Sequence, residues 1–188
     1  MSVASCSWLP RAREHLLQSL PLHPGDLVLD HCTGRGGNLA GLRQAVGESG
    51  GVAAFDLSRY GLDCAFRLIQ KRGWQNVRVH QADAHHLPYL SEAFDAVVHF
   101  GAWNQLACPE RALEEILRVT RANGWVVLLD EGIEPTRRGT LWGALLQWGN
   151  PLFRSKPPLK LLRSFGISPE VRWVMRGMFY EVRFRRPA

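Results

Sequence analysis

Apolar residues recur along this chain in two patterns, short unbroken runs and longer stretches at helical spacing. Leu27-Val28-Leu29, Val52 to Phe55, Val77 with Val79, Phe94 to His99 and Trp125 to Leu129 are short enough for strands. Between them, Leu39, Leu42 and Val46 return at three- and four-residue steps, the signature of one helix face. So do Leu62, Ala65, Phe66 and Ile69, expected to be core, and Ala112, Leu113, Ile116, Leu117 and Val119. Gly47 and Gly73 close the first two helices, Pro109 opens the third, and Asn123-Gly124 is expected to end it in a left-handed stop. An earlier amphipathic stretch, Trp8 to Leu20, predicts a helix ended by Pro21 and Pro24-Gly25. Val171–Val174 and Met178–Phe184 alternate about Arg176-Gly177 and predict a terminal hairpin. Strands alternating with helices imply a parallel sheet covered on both faces.

The order centres on residues 27–40, LVLDHCTGRGGNLA. A buried strand closes on Asp30, a glycine-rich turn follows, and a helix begins, which is the opening of a βαβ unit. Glycines at Gly34 and Gly36 let a ligand approach the main chain closely, and a helix start offers free N–H groups. Aligned on those two glycines, a dinucleotide fingerprint needs its third glycine where Leu39 stands. A P-loop is absent too. Asp30 at the strand end suits a cationic ligand, an ammonium or a sulfonium, better than a pyrophosphate. Asp56 ends the second strand roughly 20 residues on, where doubly wound folds place a carboxylate for ribose hydroxyls; the competing reading makes it or Ser58 a helix cap. Asp83 follows the third strand. Three acids at the carboxyl edge of a parallel sheet mark a ligand site.

Val28-Leu29-Asp30-His31-Cys32-Thr33-Gly34-Arg35-Gly36 resembles the first motif of the class I S-adenosylmethionine-dependent methyltransferases, with Cys32 where glycine is usual. Within that family the chain looks most like the small-molecule and quinone-biosynthesis members. Arg118 to Trp125 is similar to a second family signature, with its lysine and proline replaced. The resemblance implies a Rossmann-like three-layer α/β sandwich with a seven-stranded, mostly parallel sheet whose last strand is antiparallel. It implies S-adenosyl-L-methionine as cofactor, with Asp30, Cys32, Gly34 and Gly36 around the methionine part. Asp56 would bind ribose, Leu57 cover adenine, and Asp83 with Ala84 hold the adenine edge; His99 would face the cofactor from the fourth strand. Trp103, Asn104, Glu131 and Trp142 are the candidate acceptor contacts. Trp103 has two readings, pocket wall or packing. His99, His31 and Glu131 are candidate bases, and none stands out as the catalytic residue.

Composition narrows the setting. At 188 residues the chain reads as one domain. It divides into an N-terminal helix (1–25), a cofactor core (26–131), a substrate cover (132–168) and a hairpin (169–188). The four cysteines have no metal-ligand spacing and read as reduced thiols of a cytoplasmic protein; no metal is expected, and His85-His86 reads as polar loop surface. No signal segment or membrane-length apolar run is evident. The net charge of +6 is concentrated after Pro135. A basic, aromatic cover suits a small apolar or aromatic substrate with an anionic group, and it admits peripheral membrane contact. Two rival readings accompany this one. The fold can hold the cofactor without methylating, as a cyclase or isomerase. The basic half can also serve nucleic acid, although the loop after the fourth strand lacks the usual Asn/Asp-Pro-Pro-aromatic signature of base methylation.

Overall fold

The structure, a computed structural model, describes Arg13, Leu17 and residues 20–188. The helix expected over Trp8 to Leu20 therefore lies mostly outside the described residues.

In chain order the elements are β1 (Leu27–His31), α1 (Leu39–Val46), β2 (Gly51–Asp56), α2 (Arg59–Arg72), β3 (Val77–Gln81), β4 (Phe94–Phe100), α3 (Pro109–Val119) and β5 (Thr120–Glu131). Then follow α4 (Leu141–Gly149), α5 (Leu159–Ser164), β6 (Glu170–Val174) and β7 (Phe179–Arg185). The strands form one sheet in the order β3-β2-β1-β4-β5-β7-β6. β1 pairs in parallel with β2 and β4, as β4 does with β5, and β7 alone runs against its neighbours. This is the expected sandwich, the last strand reversed.

Alternation along the strands divides the core in two. Val28, Val98 and Leu129 pack on one face with α1 and α2, and Leu29, Val97 and Leu128 on the other with α3 and Leu162 of α5. The same alternation sends Asp30 to the α1 side and His31 to the α3 side. Ser58 caps α2 by accepting from Gly61 N–H, and Gly73 ends that helix in a left-handed turn. No helix of the described residues is long and apolar enough to cross a membrane.

Two expectations need correction. Phe66 is 51% exposed, because the core takes Leu62, Ala65, Ile69 and the bare backbone of Gly61, leaving Phe66 beyond the covered stripe. The left-handed Asn123 does not end α3, which stops at Val119. Pairing jumps from Phe94↔Thr120 to Ala96↔Trp125, so Asn123 turns a bulge at the start of β5. A left-handed asparagine serves either geometry, and sequence pattern does not separate them.

Candidate functional site

The glycine turn is braced from beneath. Asp30 is fully buried; its carboxylate accepts from Thr33 Oγ1 at 2.5 Å and from Asn38 Nδ2 at 2.9 Å. Asp56 accepts from Gly34 N–H at 2.7 Å and Ser58 N–H at 2.8 Å, so the end of β2 holds the turn after β1. Cys32, Gly34 and Gly36 have φ of 60°, 55° and 78°, which explains why glycine suits position 32 and what a side chain there costs. A Cβ at Gly36 would stand 3.0 Å from Ala65 Cβ, and one at Gly61 would stand 2.9 Å from Gly34 O. These bare positions let α2 press directly on the turn. At Gly37 an added Cβ would meet the guanidinium of Arg13, which lies 5.2 Å from the centre of the Phe100 ring.

Above the turn the backbone is open. A Cβ placed on Gly34 or on Gly101 would meet nothing within 4 Å. The strand-end acids converge there: burial first, then the charges of Asp56, Asp30 and Asp83, push the Cys32 thiol far up. Burial also raises Asp30 to about 6, against the bonds from Thr33 and Asn38 and the charge of Arg13. A cationic ligand brought to this edge would hold the acids ionised. Open glycine backbone, several carboxylates and the exposed Leu57 fit a nucleoside carrying a sulfonium and an ammonium group.

Beyond β3, Asp83 accepts from His85 N–H at 2.9 Å and lies 2.6 Å from His85 Nδ1. The bond from His85 N–H leads in holding its carboxyl below the ordinary range. A second brace fixes the following residues. Glu115, buried on α3, accepts from Leu87 N–H at 2.7 Å and from Arg118, which also donates to the carbonyls of Leu87 and Tyr89.

At the ends of β4 and β5 a different set gathers. Asn104 donates from Nδ2 to Asp130 Oδ1 and Glu131 O, both at 2.9 Å, and accepts from Tyr180 O–H at 2.9 Å. Asn104 is thereby a keystone between two strands and a turn. Glu131 Oε2 is buried without a partner among the described residues. Burial first, then the bond to Asp130 and its charge, push Glu131 up to about 8. Trp103 is buried and packs edge-on against His99. Trp142 lies half-exposed on α4.

His31 and His99 are both fully buried, their Nδ1 atoms 2.7 Å apart, and burial takes both well below the ordinary histidine range, His99 to about 4. With Cys32 they form one group whose ligating atoms lie within 4.8 Å of one another. As a neutral pair, one ring donates and the other accepts across the contact.

Sequence reasoning placed Asp30, Cys32, Gly34, Gly36, Asp56, Leu57, Asp83 and Ala84 on the strand-end turns, and these form one side of the edge. Asn104 and Glu131 form the other. Arg13, Gly61, the Glu115–Arg118 brace and Tyr180 were missed. Glu115 among the apolar positions of α3, with Arg118 three residues on, is the signal that points to the brace. Tyr180 left none, because it arrives from the far end of the chain.

Residues 29–128 match the family described as methyltransferase domain. The demethylmenaquinone methyltransferase of Lactobacillus johnsonii is 35% identical over 126 residues, 66% of this chain and 51% of that protein. The chain thus spans about half the length of the first curated relatives it matches. A SAM-dependent methyltransferase from Aquifex aeolicus superposes with a TM-score of 0.73 at 26% identity, over 93% of this chain and 89% of that one. The [4+2]-cyclase SpnF superposes at 0.75 with 18% identity, covering 95% and 81%, a likeness of fold alone. With the matched span running from β1 to β5 and carrying the whole glycine turn, this chain belongs to the methyltransferase-domain family of S-adenosylmethionine-dependent enzymes.

Proposed function

We propose that this chain methylates a small apolar or aromatic molecule bearing an ionisable hydroxyl. The observation that carries the reading is the pairing of two sites on one sheet edge. Three carboxylates converge on open glycine backbone, and two strands along the same edge, at the end of β5, stands a buried carboxyl with a raised pKa, Glu131. S-adenosylmethionine, when bound, supplies a methyl group already activated on a sulfonium, so the protein contributes mainly alignment.

In this reading Asp56 accepts from ribose hydroxyls, Asp83 and the Ala84 N–H hold the adenine edge, and Leu57 covers its face. Asp30 and the backbone at Gly34 and Gly36 face the methionine part. Glu131 takes the proton of the acceptor hydroxyl; a carboxyl at about 8 is well matched to a phenol in an apolar site. His31 and His99 remain neutral and shape the floor beside Trp103. Asn104 completes the acceptor side. The relatives named for demethylmenaquinone support a flat aromatic acceptor, and the cationic cover supports an anionic group on it. The free thiols of Cys32, Cys64 and Cys108 support a reducing, cytoplasmic setting.

Calorimetric titration with S-adenosylmethionine and S-adenosylhomocysteine tests the first half. Micromolar binding weakened in Asp56→Ala is expected, and equal affinity in that variant removes the ribose assignment. A screen of phenolic and quinol acceptors then tests the second half.

A further inference from the structure

Helix α4 is apolar on both sides. Gly143 is buried and Leu146 packs on the core, so one side seats on the fold. On the other side Leu141 is 92% exposed, Trp142 49%, Leu145 56% and Trp148 82%. At about 100° per residue these four fall within roughly 120° of the helix circumference, one continuous stripe. Most of the large exposed apolar residues elsewhere, such as Leu57, Phe66 and Leu90, sit apart from this stripe in sequence and on other elements.

The surroundings of the stripe are cationic. Between Glu134 and Glu170 the chain carries no acid, and it carries Arg137, Arg138, Arg154, Lys156, Lys160 and Arg163. Arg137 stands just before α4, and Arg154 and Lys156 just after it, all exposed. Arg137 pairs with Glu134, whereas no acid among the described residues pairs with Arg154 or Lys156. The turn after α4 brings Phe153 against Phe179, which lies opposite Glu131 across the β5–β7 pairing. The turn that follows the stripe therefore borders the Glu131 end of the sheet edge.

We propose that the outer face of α4 is a membrane-docking surface, seating Leu141, Trp142, Leu145 and Trp148 in the interface of an anionic bilayer while Arg137, Arg154 and Lys156 meet its headgroups. An amphipathic helix lies in the interface plane when it presents large apolar side chains bounded by cations. Each cation near an anionic surface adds to the attraction, and the attraction is screened by salt. A second copy of the chain is the poorer occupant, because a self-paired face would bring its cations against their own kind. The inference does not depend on the acceptor.

Vesicle flotation tests it, with phosphatidylcholine alone and with about a third phosphatidylglycerol. The intact chain is expected to float with the anionic vesicles and to be released by salt. Leu145→Glu/Trp148→Glu should reduce binding at least about tenfold, and Arg154→Glu/Lys156→Glu about fivefold or more per position. A thermal melt checks that each variant folds, and the milder Leu145→Ser/Trp148→Ser pair gives the same reading if the charged pair does not fold. No flotation on either vesicle, or equal flotation of the apolar variants, overturns the proposal. So does a concentration-dependent dimer broken by Trp148→Glu in a chain that does not float. Cofactor affinity measured on the same preparations separates this result from the methyl-transfer reading: loss of one leaves the other standing.

Discussion

Asp56 ties the glycine turn to β2 with one carboxylate, and in the proposed reading the same group accepts from ribose. Asp56→Ala removes both bonds to Gly34 and Ser58 N–H. It should cost about 1–3 kcal/mol of stability and at least about tenfold in cofactor affinity, one good hydrogen bond's worth, read by calorimetry and thermal melting. Gly36→Ala tests the turn alone. Its φ of 78° and the proximity of Ala65 oppose a side chain, so a loss of about 2 kcal/mol or more is expected by denaturant unfolding. Glu131 yields a kinetic test. A base works only when deprotonated, so with its pKa near 8 the rate of kcat/KM rises with pH through that value. Glu131→Gln should lower the rate and flatten that limb; an unchanged profile would assign the proton to another group. At this scale the positions of the turn and its acids were legible, because acids at strand ends and glycines in a turn stand out in sequence. The acceptor side was less so. Nothing in the sequence places Tyr180 on Asn104, or His31 on His99, since those contacts exist only once the strands are paired.

Elements were read well where a period was long and its ends were marked. Helix α2 has a serine cap, a clean apolar stripe and a left-handed glycine, and its limits matched. Errors came where one residue type serves two geometries, as Asn123 does in the bulge that opens β5. The Glu115–Arg118 brace shows what an element contributes beyond packing. It anchors the loop carrying Asp83 and Ala84 to α3, through Leu87 and Tyr89. Glu115→Ala leaves Arg118 and Leu87 N–H without that partner, and should destabilise by about 2–4 kcal/mol, somewhat below a fully buried pair because Arg118 is partly exposed. Hydrogen exchange should show faster opening of residues 83–89 than of β1 in the variant.

For the whole molecule, acid is the informative stress. Unfolded histidines take up protons near 6.5, whereas His99 in the fold resists to about 4 and His31 is held well below its ordinary value. Each therefore removes stability as pH falls from 6.5 toward 4. Asp30 acts in the other sense: raised to about 6, it takes its proton in the folded state first and restores stability as pH falls from 6 toward 3.8. Its contribution and that of His99 are each about 3 kcal/mol and largely cancel. Glu131, raised to about 8, likewise takes its proton in the folded state first and offsets His31 over the same range. The melting temperature should therefore change little between about pH 6 and 4.5, and His31→Phe, which removes one proton-excluding group, should make it rise as pH falls by about one proton's worth. An equal slope in that variant would show that His31 excludes no proton.

The reversed strand has a consequence for how the protein is made. β6 is synthesised before β7, yet β7 is its only neighbour in the sheet. On the ribosome β6 must wait, while β1 to β5 can already pair with one another. The glycine turn and its acids belong to that earlier half, and Tyr180, which closes Asn104, rides on the strand that docks last. The chain so builds the glycine-turn end first and completes the Asn104 end only when β7 docks on β5 and brings β6 with it.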